Sequence, residues 1–217
     1  MHVFLGITGA SGAPYAARLL EALAAADVEI GVCASRAGLE VIATELYGDA
    51  RLAPDETLAR FVEPVRGAVA LYMEQDWRAP YASGSARVDG YVICPCSMGT
   101  LGTIASGTMS NLIQRAASVA LKEGRRLVLV PRETPLSTIH LDNMLRVRQA
   151  GGIVLFAAPG FYHAPETIGD LVDFVVARIL DQLGVENRLA PRWGQEDAVS
   201  SHSRDTSVPG SDPGSRV

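Results

Sequence analysis

Six short apolar runs recur along this chain, at 2–7, 28–34, 68–73, 91–94, 126–130 and 153–157, each closed by small or polar residues. Runs this short and this apolar suit strands buried on both faces, and strands alternating with helical stretches dictate a parallel sheet covered on two sides. The pattern therefore defines an α/β chain, a Rossmann-like (flavodoxin-like) three-layer fold with a mainly parallel sheet. Helices are expected over 13–26, 36–46, 56–62, 98–105, 111–123, 140–149 and 167–183. Pro14 falls in a first helical turn, where proline is tolerated, and 78–90, "RAPYASGSARVDG", reads as a polar loop. No internal repeat is present.

In such a sheet ligands bind beyond the carboxyl ends of the strands, where the strand order reverses. The residues to weigh are therefore "TGASG" at 8–12, Ser35 and Arg36, "PCSMGT" at 95–100, Pro131–Glu133 and Ala158–His163. Gly6, Gly9 and Gly12 permit positive φ and close backbone approach, and the N-terminus of the following helix can face a phosphate. Their spacing is GxxGxxG, not the GxGxxG of dinucleotide sites, and no acid follows about 20 residues on to hold a ribose. NAD is disfavoured on that count, whereas NADP stays open, with Arg36 on its extra phosphate. "TGASG" also occurs in short-chain dehydrogenases, whose chemistry needs a Tyr-xxx-Lys pair. The only lysine here is Lys122 and the residue four before it is Ser118, so that reading fails.

Hydrophobic residues make up 48% of the 217 residues and mean hydropathy is +0.17. That is rich for a soluble monomer of this length and points to apolar surface buried in a homo-oligomer. Net charge is −5 with scattered basic residues, which argues against nucleic acid and anionic membrane as partners. No run reaches the roughly 18 apolar residues of a membrane span. The chain enters its first strand without a basic leader, which argues against a secretory signal. Cys33, Cys94 and Cys96 are odd in number and lack CxxC spacing, as expected of reduced thiols in a cytoplasmic protein. Residues 1–194 form the expected domain, and the Ser/Asp/Gly/Pro-rich stretch 195–217 a disordered tail.

Several side chains carry possible chemistry. Arg115, Ser118 and Lys122 share one helical face, suited either to a phosphate or to solvent. Arg132 and Glu133 follow a strand directly, between Pro131 and Pro135. Arginine there can anchor a phosphate or ring and glutamate can move a proton, or the two can serve as ion-pairing groups. Arg178 lies inside an apolar helix, either pairing with Asp181 or reaching into a site near Tyr162. Glu45 and Trp77 are further candidates, and His140 reads as structural.

Taken together, "TGASGA", "ATE", "DWRAPYASGS", "VICPCSMGTL", "NLIQRAASVALKEGRRLVLVPRETPLSTIHLDNM", "AAPGFYHAPETIGDLVDFVVARILDQLG" and "PRWG" closely resemble the UbiX family of flavin prenyltransferases, over residues 8–194. The resemblance implies an enzyme that binds FMN and dimethylallyl phosphate and joins the dimethylallyl group to N5 and C6 of reduced FMN. It implies no metal, a UbiD-type decarboxylase as recipient of the prenylated FMN, and a large homo-oligomer, commonly a dodecamer. By the same resemblance Gly9, Ala10, Ser11, Ser35, Ser97, Met98, Gly99, Thr100 and Arg132 would contact FMN. Tyr162 and Arg178 would hold the prenyl phosphate, with Arg115 and Lys122 adding positive charge. Trp77 would shelter the allylic carbon, and Glu45 and Glu133 would line the site, Glu133 as proton acceptor. Trp193 belongs to the segment expected to close over the site. Two alternatives stand beside this one. An FMN-dependent decarboxylase of the phosphopantothenoylcysteine type would need an early catalytic histidine, a place that none of His2, His140, His163 and His202 takes. A flavin-binding module without catalysis would need no Glu133 chemistry.

Overall fold

The structure, a computed structural model, describes residues 1–192, so Trp193 and the expected tail lie outside the described residues. Strands β1 (His2–Ile7), β2 (Glu29–Ala34), β3 (Val69–Leu71), β4 (Gly90–Cys96), β5 (Arg126–Pro131) and β6 (Ile153–Val154) pair in parallel throughout. Their order is β3-β2-β1-β4-β5-β6. The chain thus winds outward from β1 in one direction and from β4 in the other. The loops leaving β1 and β4 diverge and open a crevice between them.

Seven helices cover the sheet: α1 (Ala13–Ala25), α2 (Arg36–Tyr47), α3 (Pro54–Val62), α4 (Met98–Ala105), α5 (Leu112–Lys122), α6 (Thr138–Gln149) and α7 (Ile168–Leu183). The strand period of two sorts the side chains into two cores. Val3, Leu5 and Ile7 face one layer, where Leu19, Leu20 and Leu23 of α1, Ile42 of α2, Phe61 of α3 and Val176 of α7 pack. Phe4 faces the other, with Leu101 of α4, Ile113 of α5 and Val147 of α6. Each fully buried leucine or isoleucine contributes about 1.5–3 kcal/mol against exposure. In contrast α6 buries only Val147 among its residues and exposes Ile139, Leu141 and Leu145.

Helix starts follow the cap chemistry. Ser35, Ser97 and Asn111 accept from backbone N–H groups one turn on, at α2, α4 and α5. Ser137 with His140, and Thr167 with Asp170, form reciprocal capping boxes on α6 and α7. His140 is therefore a capping residue, and α6 begins at Thr138, two residues before the expected start. The expected strand at 153–157 shortens to two residues, yet Leu155 N and Ala157 N still donate to Leu129 O and Pro131 O (both 2.9 Å) along this sheet edge. Within the expected loop at 78–90 a 3-10 turn, Pro80–Ala82, sinks Tyr81 fully into the core beside Phe4. No described helix is long and apolar enough to cross a membrane.

Candidate active site at the β1–β4 crevice

The two diverging loops are joined by one buried hydroxyl. Thr8, 2% exposed, donates from Oγ1 to Pro95 O (2.9 Å) and accepts from Ser97 N (2.8 Å), while its own N–H also donates to Pro95 O (3.1 Å). Pro95 has no N–H to offer β5, and the ladder between β4 and β5 is irregular between Ile93 and Cys96. The freed carbonyl turns instead to the β1 loop. Beyond this junction the chain is open: an ideal Cβ on Gly99 would meet nothing nearer than Ser97 Oγ at 4.0 Å. Ser97 Oγ accepts from Thr100 N (3.2 Å), and Ser97 and Thr100 stay half-buried beside exposed Gly99. Met98 is buried, leaving its backbone as the part able to meet a ligand.

On the glycine loop Ala10 is buried, Ser11 half-buried and Gly9 exposed. A Cβ on Gly9 would come within 2.6 Å of Ala37 Cβ, so glycine lets α2 close on the loop. Gly12 takes φ 134°, which disfavours any side chain. The first-turn amides of α1 are not free for a phosphate, because Glu45 Oε2 accepts from Gly12 N (2.9 Å) and Ala13 N (2.8 Å). Glu45 is thereby fixed against the loop at the positive end of α1. Ser35 caps α2 (Oγ to Gly38 N, 3.0 Å), and Glu74 bridges α2 and α5, accepting from Arg36 N and Asn111 Nδ2 (both 3.0 Å). Thr8, Glu45 and Glu74 together set where the loops of β1, β2 and β4 stand. Exposed Gly99 and half-buried Ser11, Ser35, Ser97 and Thr100 stand on the loops that frame this crevice, a set of hydroxyls suited to a polar ligand such as FMN.

Arg132 and Glu133 follow β5 directly, Arg132 exposed and Glu133 half-buried, with Glu133 Oε1 accepting from Thr134 N (3.1 Å). Beyond β6, Tyr162 stacks edge-on against Phe174 of α7 (5.8 Å between centroids), and Arg178 stands one turn further along that helix. Tyr162 and Arg178 are thus brought to the same edge of the sheet. Arg178 and Phe174 border a groove of about 660 Å³ along β6.

Arg115, Lys122 and Trp77 are not brought to Arg178. Arg115 and Lys122 belong to α5, which covers the opposite face of the sheet from α7, so β1, β4 and β5 intervene. Arg115 Nε donates to Ala82 O (3.0 Å), and Lys122 pairs with Glu123. Trp77, half exposed, precedes the 3-10 turn that packs on α5. The shared helical face of Arg115, Ser118 and Lys122 is real, but helix periodicity could not say which side of the sheet it would cover. Burial pushes the thiols of Cys94 and Cys96 far above the ordinary range, and that of Cys33 up to about 12, so all three stay protonated. Among the described residues no group of three or more His, Cys, Asp or Glu side chains is placed to hold a metal ion.

Residues 1–180 match the family model described as Flavoprotein. The chain is 50% identical over 204 residues to the flavin prenyltransferase UbiX of Pseudomonas aeruginosa, a match covering 92% of this chain and 97% of that one. It superposes with TM-score 0.79 and 44% identity on a dodecameric FMN-dependent Ubix-like decarboxylase from Escherichia coli O157:H7, covering 89% and 99%. With AnUbiX in complex with FMN and dimethylallyl pyrophosphate the TM-score is 0.80 at 38% identity, covering 90% and 98%. The chain belongs to the flavoprotein family and, within it, to the UbiX flavin prenyltransferases.

Proposed function

We propose that this protein joins the dimethylallyl group of dimethylallyl phosphate to N5 and C6 of reduced FMN, without a metal ion. The product, prenylated FMN, would serve a UbiD-type decarboxylase in the cytoplasm, and residues 1–194 would be the working unit. The observation that carries this reading is the crevice where the β1, β2 and β4 loops meet, in a chain whose relative AnUbiX binds FMN and dimethylallyl pyrophosphate. Gly9, Ala10, Ser11, Ser35, Ser97, Met98, Gly99, Thr100 and Arg132 would hold FMN, which in reduced form supplies the two nucleophilic positions.

Tyr162 and Arg178 would hold the prenyl phosphate. As the allylic C–O bond breaks, charge gathers on that phosphate, and donors already in place stabilise it without reorganising. Because α5 and α7 cover opposite faces of one chain, Arg115 and Lys122 would reach the same phosphate from a neighbouring copy. The dodecameric relative and the uncovered apolar residues of α6 support such an assembly. Trp77 would offer its π-face to the allylic cation. Glu133 would accept the proton lost from C6, and Glu45, held by two amides, would line the site.

The test is Glu133→Gln, assayed anaerobically beside the native protein with reduced FMN and dimethylallyl phosphate. Retained flavin affinity with turnover down about 100-fold or more fits a general base. Equal turnover would remove Glu133 from the mechanism. A native protein that binds FMN and never turns over would leave the binding module standing.

A further inference from the structure

Arg178 is not held by substrate contacts alone. Its Nη1 donates to Asp181 Oδ2 at 2.8 Å, and the other oxygen of that carboxylate accepts from Arg192 Nη2 (2.9 Å) and Asn187 Nδ2 (3.2 Å). Asp181 is the shielded partner, its side chain 19% exposed against 54% for Arg178. An isolated exposed i,i+3 pair would hold little, since both side chains can swing away together. Here the carboxylate is pinned. Asn187 Nδ2 also reaches the Ala177 and Val185 carbonyls (both 3.4 Å), which ties Asp181 to the backbone on both sides of the helix end. Only one nitrogen of Arg178 is used, and among the described residues its Nη2 and Nε donate to no acceptor. Two arginines on one carboxylate also leave the cluster with a net charge of +1.

Building on the reading of Arg178 as a ligand of the prenyl phosphate, we propose that Asp181 is the positioning residue for that arginine. It holds the guanidinium by Nη1 and leaves the remaining edge of the fork for phosphate oxygens. Arg192, on the other oxygen, offsets the carboxylate charge that would otherwise repel the incoming anion. The consequence has a diagnostic sign. Removing a negative charge close to an anion site should by itself tighten donor binding, whereas loss of positioning should weaken it.

The experiment is steady-state kinetics of the full-length protein with reduced FMN and dimethylallyl phosphate, comparing Asp181→Asn, Arg178→Ala and their double variant. Asp181→Asn is expected to raise the KM for dimethylallyl phosphate about five- to tenfold, with a smaller change in kcat and unaltered FMN affinity. In the Arg178→Ala background the same change is expected to raise KM no further, because Asp181 acts only through Arg178. Asp173→Asn is the control: Asp173 pairs with Arg18 of α1 (2.6 Å) on another face of α7, and its loss should lower thermal stability without moving KM. A KM unchanged or lowered in Asp181→Asn, with Arg178 intact, overturns the positioning role. So does a rise of equal size in both backgrounds. If Arg178→Ala itself leaves KM unmoved, the reading of Arg178 fails and the inference goes with it. Should Asp181→Asn not fold, as judged by FMN titration, Asn187→Ala loosens the same carboxylate. It is then expected to raise KM about two- to threefold, and an unchanged KM overturns the role.

Discussion

Replacing Thr8 by valine keeps the shape of a buried side chain and deletes one hydroxyl. Two hydrogen bonds go with it: the donation to Pro95 O at 2.9 Å and the acceptance from Ser97 N at 2.8 Å. The losses are unequal. Pro95 O keeps a partner, because Thr8 N still donates to it at 3.1 Å, whereas Ser97 N has none to replace Oγ1. A neutral hydrogen bond contributes about 0.5–1.5 kcal/mol net, and a fully buried stranded donor costs about 1–3 kcal/mol, the lower part of that range suiting half-buried Ser97. Taken with the modest gain from the added methyl, Thr8→Val should destabilise the fold by about 2 kcal/mol. For a chain of this length that is a Tm lower by about 4–8 °C. The assay is urea unfolding at fixed protein concentration, since assembly makes apparent stability concentration-dependent. Thr8→Ser keeps the hydroxyl and loses a methyl group, so it should cost only about 1 kcal/mol. With FMN held by the β1 and β4 loops as proposed, its affinity should fall in Thr8→Val and hold in Thr8→Ser. A valine variant no less stable than the serine variant, with equal FMN affinity, would refute the idea that this hydroxyl joins the crevice walls.

Four further outcomes are expected. Gly9→Ala drives a Cβ to 2.6 Å from Ala37 Cβ and should cost about 1–3 kcal/mol by overpacking, with Ala37→Gly restoring much of it in a double variant measured by thermal unfolding. Glu45→Ala removes the acceptor for Gly12 N and Ala13 N and should cost about 1 kcal/mol in urea unfolding, an N-cap loss supplied from a distant helix. Burial raises the thiols of Cys33, Cys94 and Cys96, so the native state keeps protons that the unfolded chain, with thiols near pKa 8.5, releases. Stability should therefore be full below about pH 8.5 and fall steadily as pH rises toward 12, by about 2 kcal/mol per thiol at pH 10. At pH 8 a thiol reagent should label the protein only after denaturation.

Much of the fold is legible in single residues. Ser35, Ser97, Asn111, Ser137 and Thr167 each stand where a helix needs an N-cap, and each of the six apolar runs overlaps a strand. The loops after β1, β2 and β4 are likewise readable as the place to look for a ligand, because a doubly wound sheet opens its crevice beyond the carboxyl ends of its strands. What the sequence does not disclose is long-range. Glu45 caps a helix some thirty residues before it, and Thr8 meets Ser97 across the crevice, pairings that no local pattern encodes. Asp181 is visible as a helical neighbour of Arg178, but not as a carboxylate shared with Arg192 and Asn187. The separation of Arg115 and Lys122 from Arg178 depends on strand order, which decides the face each connecting helix covers. Periodicity gives the stripe on a helix without giving the face it lands on.

Prenyl transfer to FMN is read from the mass of one small molecule. The purified protein is incubated anaerobically with reduced FMN and dimethylallyl phosphate in the presence of a metal chelator, and the flavin is extracted and weighed by mass spectrometry. The expected product is a flavin heavier by one five-carbon prenyl unit, with NMR placing the new bonds at N5 and C6. Unmodified FMN, recovered from protein that is folded and flavin-loaded, would contradict that transfer.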